Sequence, residues 1–438
     1  MTLILPDWLV VAADRAPLAG HGLRVVDGRV EAIGPHRELL EAHPQDPVRR
    51  AEGHAVLPGF VNSHVHLYGV LAHGIPVVSP PNGFASFLDD YWWPQVEDRL
   101  DQRMITTATE WVCSEMLASG TTTFYDICEA PGALGGVLAA QAEVVRKMGM
   151  RGMLSFEATE RAGPDVARRS LEENRTFASS VVGDPLIGAM MCWHTVFTCS
   201  ADFIVEAAGS AADLGIASHA HCNEGRHEGE WARRNLGMST MAFYDSLGVT
   251  GPGLLASQCV QMEPEELAII ADRGVRVSHM PLSNCEVGGG IAPVPEMLAA
   301  GTTVGLGSDG YVNDMFEVMR GAFWMHKARL LDPSTMPAAT VFAMATEWGA
   351  RALGLERVGR LEPGWSADLQ VLAVDLPTPV TEHNLVEQLI LWRNGNHVRD
   401  VMVAGRWRVR DGSVLGHDHE RVRERVREEA ARLWARST

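Results

Sequence analysis

The chain has 438 residues, enough for about three average domains or for one large barrel with a smaller companion. It carries 55 acidic and 37 basic residues, a formal charge of −18, which opposes binding to nucleic acid or to an anionic membrane surface. A hydrophobic share of 46% with 21% charged residues excludes wholesale disorder, and the 43 glycines and 23 prolines follow no collagen-like period.

In chain order, residues 3–5, 8–12, 22–26 and 29–33 form short alternating runs, with Asp27-Gly28 as a hairpin turn. The same pattern returns at 368–374, 401–403 and 407–409, punctuated by Ala404-Gly405 and Asp411-Gly412. Two hairpin-built segments at opposite ends predict one small β-sandwich assembled from residues 1–57 and 367–416. The middle, 58–366, has a different rhythm. Apolar runs ending in polar residues fall at 59–66, 121–126, 152–157, 186–194, 215–221, 254–258, 275–279 and 302–309. Helix-like stretches at 103–118, 136–148, 164–179, 201–214, 264–273 and 293–300 separate most of them. Eight such units predict an α/β fold, a (β/α)8 TIM barrel, with chemistry at the C-terminal ends of the strands. The Arg/Glu-rich stretch 417–438 predicts a solvated terminal helix.

The seven cysteines are odd in number and include no CxxC pair, which reads as free thiols in a reducing compartment. No uncharged apolar run is long enough to span a bilayer, and Met1 to Val11 shows no basic region leading to a cleavage site. The expected location is the cytoplasm, without a membrane or nucleic-acid partner.

Three of the run ends carry candidate metal chemistry. His64 and His66 close the first run, and residues two apart on a strand face one side, so both imidazoles can reach one ion. Two unrelated histidines in a polar loop is the competing reading. His219-Ala220-His221-Cys222-Asn223-Glu224 closes the fifth run. His219 and His221 are in phase; the spacing to Glu224 favours His221 as the ligand, with Glu224 beside it as a proton shuttle. Complementing a helix dipole is the alternative for Glu224. Asp309, in Gly305-Leu306-Gly307-Ser308-Asp309-Gly310, is costly to bury unpartnered, and a metal supplies a partner; an Asp-Gly turn is the alternative.

Other run ends are more ambiguous. His194 closes the fourth run as a substrate contact, an extra ligand or a structural histidine, and His279 closes the seventh as a structural group. Trp92-Trp93 and the Pro-rich loop 75–83 follow the first run, either as a lid over an apolar ligand or as packing.

The blocks LPGFVNSHVH (57–66), HCNE (221–224), SHMPLSN (278–284), GLGSDG (305–310) and GRLEPGWSADLQV (359–371) together resemble the amidohydrolase superfamily, in its mononuclear cytosine-deaminase and chlorohydrolase-like branch. FEATER (156–161) and NDMFE (313–317) with His326-Lys327 are similar to the SsnA-type aminohydrolases within it. The resemblance implies one divalent metal, zinc in preference to iron, on His64, His66, His221 and Asp309. It implies that Glu224 and Asp309 handle protons and that His194 contacts substrate, with Trp92 and Asn284 as further candidate contacts. Binuclear relatives bridge two metals with a carboxylated lysine at the end of the fourth strand. Lys147 and Lys327, the two lysines of this chain, fall elsewhere.

The sequence departs from the branch at one place. A histidine usual after the sixth strand is replaced by Gln258, in Ala256-Ser257-Gln258-Cys259-Val260. A glutamine amide orients but does not titrate. Gln258 therefore suffices in a catalytic role, marks a different substrate, or marks lost activity. The expected reaction is hydrolytic deamination of an N-heterocycle or cyclic amidine: Asp309 takes a proton from metal-activated water and returns it to the departing amine, while Glu224 protonates the ring nitrogen. Displacement of chloride or alkylamine from a heteroaromatic ring, opening of a cyclic amide, and a non-catalytic metal-bearing binding protein are the alternatives. A small heterocyclic substrate and a homo-oligomer, specifically a homodimer, complete the expectation.

Overall fold

The computed structural model describes residues 1–77 and 81–437. Among these, one parallel sheet forms the barrel, with strands Phe60–Val65, Thr121–Cys128, Arg151–Ala158, Ile187–Ala189 continued by Met191–Trp193, Ser218–Cys222, Leu254–Gln258, Arg276–His279 and Val304–Leu306. All eight predicted runs are strands of this sheet. The fourth is broken at Met190, so its first half pairs with the third strand and its second half bridges the third and fifth. The strands are buried on both faces, which is why they read as continuous apolar runs. Helices such as Gln102–Ala118, Val137–Met148 and Ala201–Leu214 cover the outside. Gly215, in the left-handed region at φ 65°, ends the last of these and turns the chain towards the fifth strand.

Val61, Tyr125, Ile127, Cys192 and Leu255 cluster with Ala350 and Leu353, so the helix Glu347–Ala352 plugs the end of the barrel where the strands begin. The polar residues collect at the other end. There the eighth strand meets the first without a regular ladder. Ser308 N and Asp309 N both donate to His64 O at 3.0 Å, and Asn62 Oδ1 accepts from Ser308 N at 3.0 Å while its Nδ2 donates to Ser308 Oγ at 2.7 Å. The approach is close enough that a Cβ on Gly307 would lie 2.8 Å from both Cβ and O of His64. Gly307→Ala should therefore cost about 1–3 kcal/mol of stability and displace His64. A depressed melting temperature together with a displaced His64 is the expected result, read by calorimetry and by the shift of the His64 ring signals in NMR.

The chain ends form a second, mixed sheet of nine strands among the described residues. Thr2–Leu9 runs parallel to Val48–Pro58, which pairs antiparallel with Leu369–Ala373 from the far end of the chain. The sheet curls until its two hairpin turns touch: a Cβ on Gly28 would meet Ala404 O at 2.9 Å. Ile4, Leu23, Val56, Leu369 and Met402 fill the space it encloses. The expected sandwich is thus one sheet folded over its own core.

The terminal helix, His419–Ser437, differs from the solvated helix expected. Val422, Glu429 and Leu433 are buried, Arg432 pairs with Asp101 at 2.7 Å, and Trp434 Nε1 donates to Leu71 O at 2.8 Å. Its charged composition conceals a narrow buried stripe, and the helix braces the turn that follows His66. No helix among the described residues is long and apolar enough to cross a membrane.

Candidate metal centre and active site

His64 sits in the first strand, and His66 follows in extended conformation (φ −109°, ψ 95°) before the 3-10 turn Leu67–Ala72. The two-residue spacing holds their rings on one side, with centroids 5.1 Å apart. His66 Nδ1 lies 2.8 Å from Ile127 O, so that nitrogen carries the proton and Nε2 presents a lone pair. Asp126, at the end of the second strand, accepts Leu67 N through Oδ1 at 2.8 Å and Gln141 Nε2 through Oδ2 at 2.7 Å, which fixes the turn. His221 stacks on His66, with centroids 5.6 Å apart and planes 9° from parallel.

Asp309 completes the group. Its backbone lies in the left-handed region at φ 60°, followed by Gly310 at φ 75°, where a Cβ would lie 2.4 Å from His66 O. Asp309 Oδ1 lies 2.9 Å from His64 Nε2 and 3.4 Å from His66 Nε2. Its Oδ2 accepts from Ser283 Oγ at 2.6 Å and Gln258 Nε2 at 3.1 Å, and Asn284 Nδ2 donates in turn to Gln258 Oε1. Gln258 and Cys259 are also left-handed, at φ 71° and 47°. Such strain concentrates where side chains must be aimed at a site.

One donor atom each from His64, His66, His221 and Asp309 lies within 4.8 Å of the others. Burial lowers the pKa of all three imidazoles, to about 4 for His66 and His221, which favours the neutral rings whose lone pairs a metal could use. Burial acts against the Asp309 carboxylate, but the close approach of the His64 ring, followed by that of His66 and the Ser283 hydroxyl, holds it well below its usual range. Both ring nitrogens of His64 are buried without a hydrogen-bond partner. Lone pairs converging on a carboxylate repel one another unless a cation lies between them, so the donor set fits a divalent metal of the zinc or iron type.

Beside this group lies a cavity of about 290 Å³ lined by His66, His194, His221, Glu224, Gln258 and Asp309. Glu224 follows the fifth strand, and its pKa is raised well above the usual range by burial, then by Asp309, Glu228 and Glu157. His194 borders the cavity, with Nδ1 2.8 Å from Thr198 Oγ1 and its ring edge-on to Trp93 at 5.8 Å. Trp92 and Trp93 both line the cavity. They lie on the π-helical stretch Phe87–Val96, in which Trp92 stacks on Phe87 at 5.6 Å. Of the expected lid loop, residues 78–80 lie outside the described residues.

Asn284 does not border the cavity; Ser283 does. His219 and His279 do not border it: His219 packs its ring against His64 and His221 with Nδ1 3.2 Å from Cys192 Sγ, and His279 Nε2 is 3.2 Å from His326 Nε2. Ser283 in the helix Pro281–Glu286, Tyr68 in the turn Leu67–Ala72, Glu97 in the turn Glu97–Arg99 and Glu129 after the second strand share no local pattern that would mark them in the sequence. Glu157 and Arg161 stand within FEATER, yet nothing in that block alone shows that they turn towards the site.

The structure resembles a zinc-bound adenosine deaminase from Xanthomonas campestris, with a TM-score of 0.90, 25% identity, and coverage of 99% of this chain and 98% of that one. It also shares its fold with the zinc-complexed atrazine chlorohydrolase of Arthrobacter aurescens, with a TM-score of 0.83, 22% identity, and 98% and 100% coverage. In sequence, the chain is 32% identical over 417 residues to a 5-methylthioadenosine/S-adenosylhomocysteine deaminase of Pelotomaculum thermopropionicum, spanning 94% of this chain and 93% of that protein. It is 29% identical over 413 residues to a 5'-deoxyadenosine deaminase of Methanopyrus kandleri, at 93% of each. The amidohydrolase family model matches residues 55–408. With its histidines and Asp309 gathered at one mouth of the barrel, this chain belongs to the amidohydrolase family.

Proposed function

We propose that the protein is a zinc-dependent aminohydrolase that releases ammonia from an aminated N-heterocycle or cyclic amidine. The observation that carries this reading is the convergence of His64, His66, His221 and Asp309 at the floor of a cavity that Glu224 also borders. The deaminase relatives and the zinc-bound adenosine deaminase support it. When bound, the metal makes water a nucleophile at neutral pH and polarises the attacked carbon.

The chain's own residues do the rest. Glu224 holds a proton, delivers it to the ring nitrogen beside the attacked carbon, and recovers the proton of the new hydroxyl as the carbonyl forms and ammonia leaves. Asp309 takes a proton from water through Oδ1 and passes it to the leaving amine, while Gln258 and Ser283 hold Oδ2 still. The aromatic wall from Trp92 and Trp93 excludes water and packs on a flat ring. His194 meets the substrate from just beyond the end of the fourth strand.

Zinc-replete protein should release ammonia from members of a panel of adenine nucleosides and other aminated heterocycles. No ammonia from any of them would end this reading. A second reading rests on Gln258. Its amide supplies no proton, which suits a leaving group less basic than ammonia, so halide or alkylamine release instead of ammonia would support displacement. Gln258→Leu removes a hydrogen bond to a charged, buried oxygen, worth about 1.5–3 kcal/mol. Steady-state kinetics should therefore show kcat lowered about 10- to 100-fold, with substrate KM much less affected.

We place the enzyme in the cytoplasm as a homodimer. Trp324, Leu331 and Trp392, at 54%, 90% and 68% exposure, are among the exposed large apolar side chains that a second copy could cover. Sedimentation at micromolar concentration checks the assembly.

A further inference from the structure

The first barrel strand runs into a turn that is tied to the site at both ends. Leu67 N, directly after His66, donates to Asp126 Oδ1 at 2.8 Å. At the far end His73 Nε2 donates to Gly310 O at 3.0 Å, one residue beyond Asp309. Between these ties Gly69 passes so near Gly310 that a Cβ on it would lie 3.4 Å from the Gly310 oxygen. Gly69, Ala72, His73 and Gly74 also line the cavity. One short segment thus joins His66 to the backbone beside Asp309, and any drift in it moves both.

The middle of the turn is held from the far end of the chain. Val70 O and Ala72 O accept the amides of His73 and Ile75, at 3.3 and 3.1 Å, while Leu71 O accepts the indole N–H of Trp434 at 2.8 Å. Leu71 is 0% exposed, so removing that donor leaves a carbonyl shut away from water, and the turn must shift to satisfy it. The helix that carries Trp434 is anchored along its length. Arg425 pairs with Glu110 at 2.6 Å and Arg432 with Asp101 at 2.7 Å. Arg436 Nη1 donates to Arg99 O at 2.6 Å, at the foot of the segment that carries Trp92 and Trp93. A helix that only covered the barrel would rest on other outer helices. This one reaches the mouth where the strands end and the chemistry collects.

We infer that Trp434 is a positioning residue for the reaction: its N–H fixes Leu71 O, and with it the turn that sets His66 and Asp309 relative to one another. Trp434 touches neither substrate nor reacting atoms. It acts through the turn, keeping the imidazole and the carboxylate in the alignment that attack by water and proton transfer require. Small errors of placement, introduced far from the reacting atoms, lower turnover steeply. The inference rests on the aminohydrolase reading for the reaction that Trp434 serves, whereas its hold on the turn is measured without substrate.

Three variants of the full-length chain test it. Trp434→Phe keeps the ring packing and removes the N–H; Trp434→Ala removes both; Arg425→Met loosens the same helix at Glu110, away from the turn. Hydrogen exchange without zinc or substrate should show the amides of Gly69 and His73 about 3- to 10-fold faster in Trp434→Phe, the factor that one lost hydrogen bond gives, and at the wild-type rate in Arg425→Met. In zinc-loaded enzyme Trp434→Phe should lower kcat about 10-fold, with KM within about twofold and the melting temperature near the wild-type value. Arg425→Met should lower the melting temperature and leave kcat unchanged. Wild-type kcat in Trp434→Phe overturns the inference, whatever Trp434→Ala does, because the indole then serves packing alone. So does wild-type exchange at Gly69 and His73 in Trp434→Phe, or an equal loss of kcat in Trp434→Phe and Arg425→Met, which would reflect helix docking in general. If the wild type releases no ammonia from any heterocycle offered, the aminohydrolase reading fails separately: faster exchange in Trp434→Phe still supports the hold of Trp434 on the turn, and unchanged exchange ends it.

Discussion

Glu224→Gln should lower kcat by about 1,000-fold while leaving the zinc content at one per chain. Positioned proton transfer contributes about 10²–10⁴-fold to a reaction of this kind, and glutamine has the shape of glutamate without a proton to give. Glu224 borders the cavity but is not one of the four groups whose donor atoms converge, so the metal has no reason to leave with it. Its burial and its acidic neighbours Asp309, Glu228 and Glu157 raise its pKa. A raised pKa keeps the acid protonated further into the neutral range, and the protonated form is the active one. Turnover of the wild type should therefore fall on the alkaline side as Glu224 ionises, and the glutamine variant should lose that limb. Near-normal turnover in the variant, or an alkaline limb that persists, would remove Glu224 from the reaction.

The parts of this molecule that could be read from sequence are those that obey local rules. The eight barrel strands are legible because burial on both faces makes each a continuous apolar run, and their polar ends stand out against it. His64 and His66 are legible because strand periodicity alone sets them on one side. Asp309 is legible as an isolated acid at a strand end between glycines, and the reason for those glycines is tertiary: Gly307 and Gly310 abut the backbone of His64 and His66.

Other features depend on contacts between distant loops. Glu97, Glu129 and Arg161 meet from three loops, and in sequence each is an ordinary charged residue among many. The pairing of Asn284 with Gln258 places one candidate substrate contact behind another site residue, which no spacing within 278–284 foretells. The terminal helix misleads for a related reason. Its Arg and Glu residues dominate the composition, while docking depends on a stripe of a few side chains and on ion pairs to Asp101 and Glu110.

Asp309→Asn should abolish both activity and zinc retention, and the contrast with Glu224→Gln separates a ligand from a shuttle. Changes to groups that merely support metal ligands cost about 10–100-fold in affinity, so the loss of a charged ligand should exceed that. The surroundings sharpen the effect. Ser283 Oγ and Gln258 Nε2 both point donors at Oδ2, so an asparagine must turn its carbonyl oxygen towards them. Its NH2 group then faces His64 Nε2 and His66 Nε2, which lie 2.9 and 3.4 Å from Oδ1 in the wild type. A donor placed there engages the lone pairs that a cation needs and turns a metal site into a closed hydrogen-bond network. The variant should purify with little zinc, bind added zinc more than 100-fold more weakly by calorimetry, and stay folded, since the new hydrogen bonds replace the old. A variant holding stoichiometric zinc with more than a tenth of wild-type turnover would show that Asp309 neither ligates nor carries protons, and the proposed centre would have to be rebuilt without it.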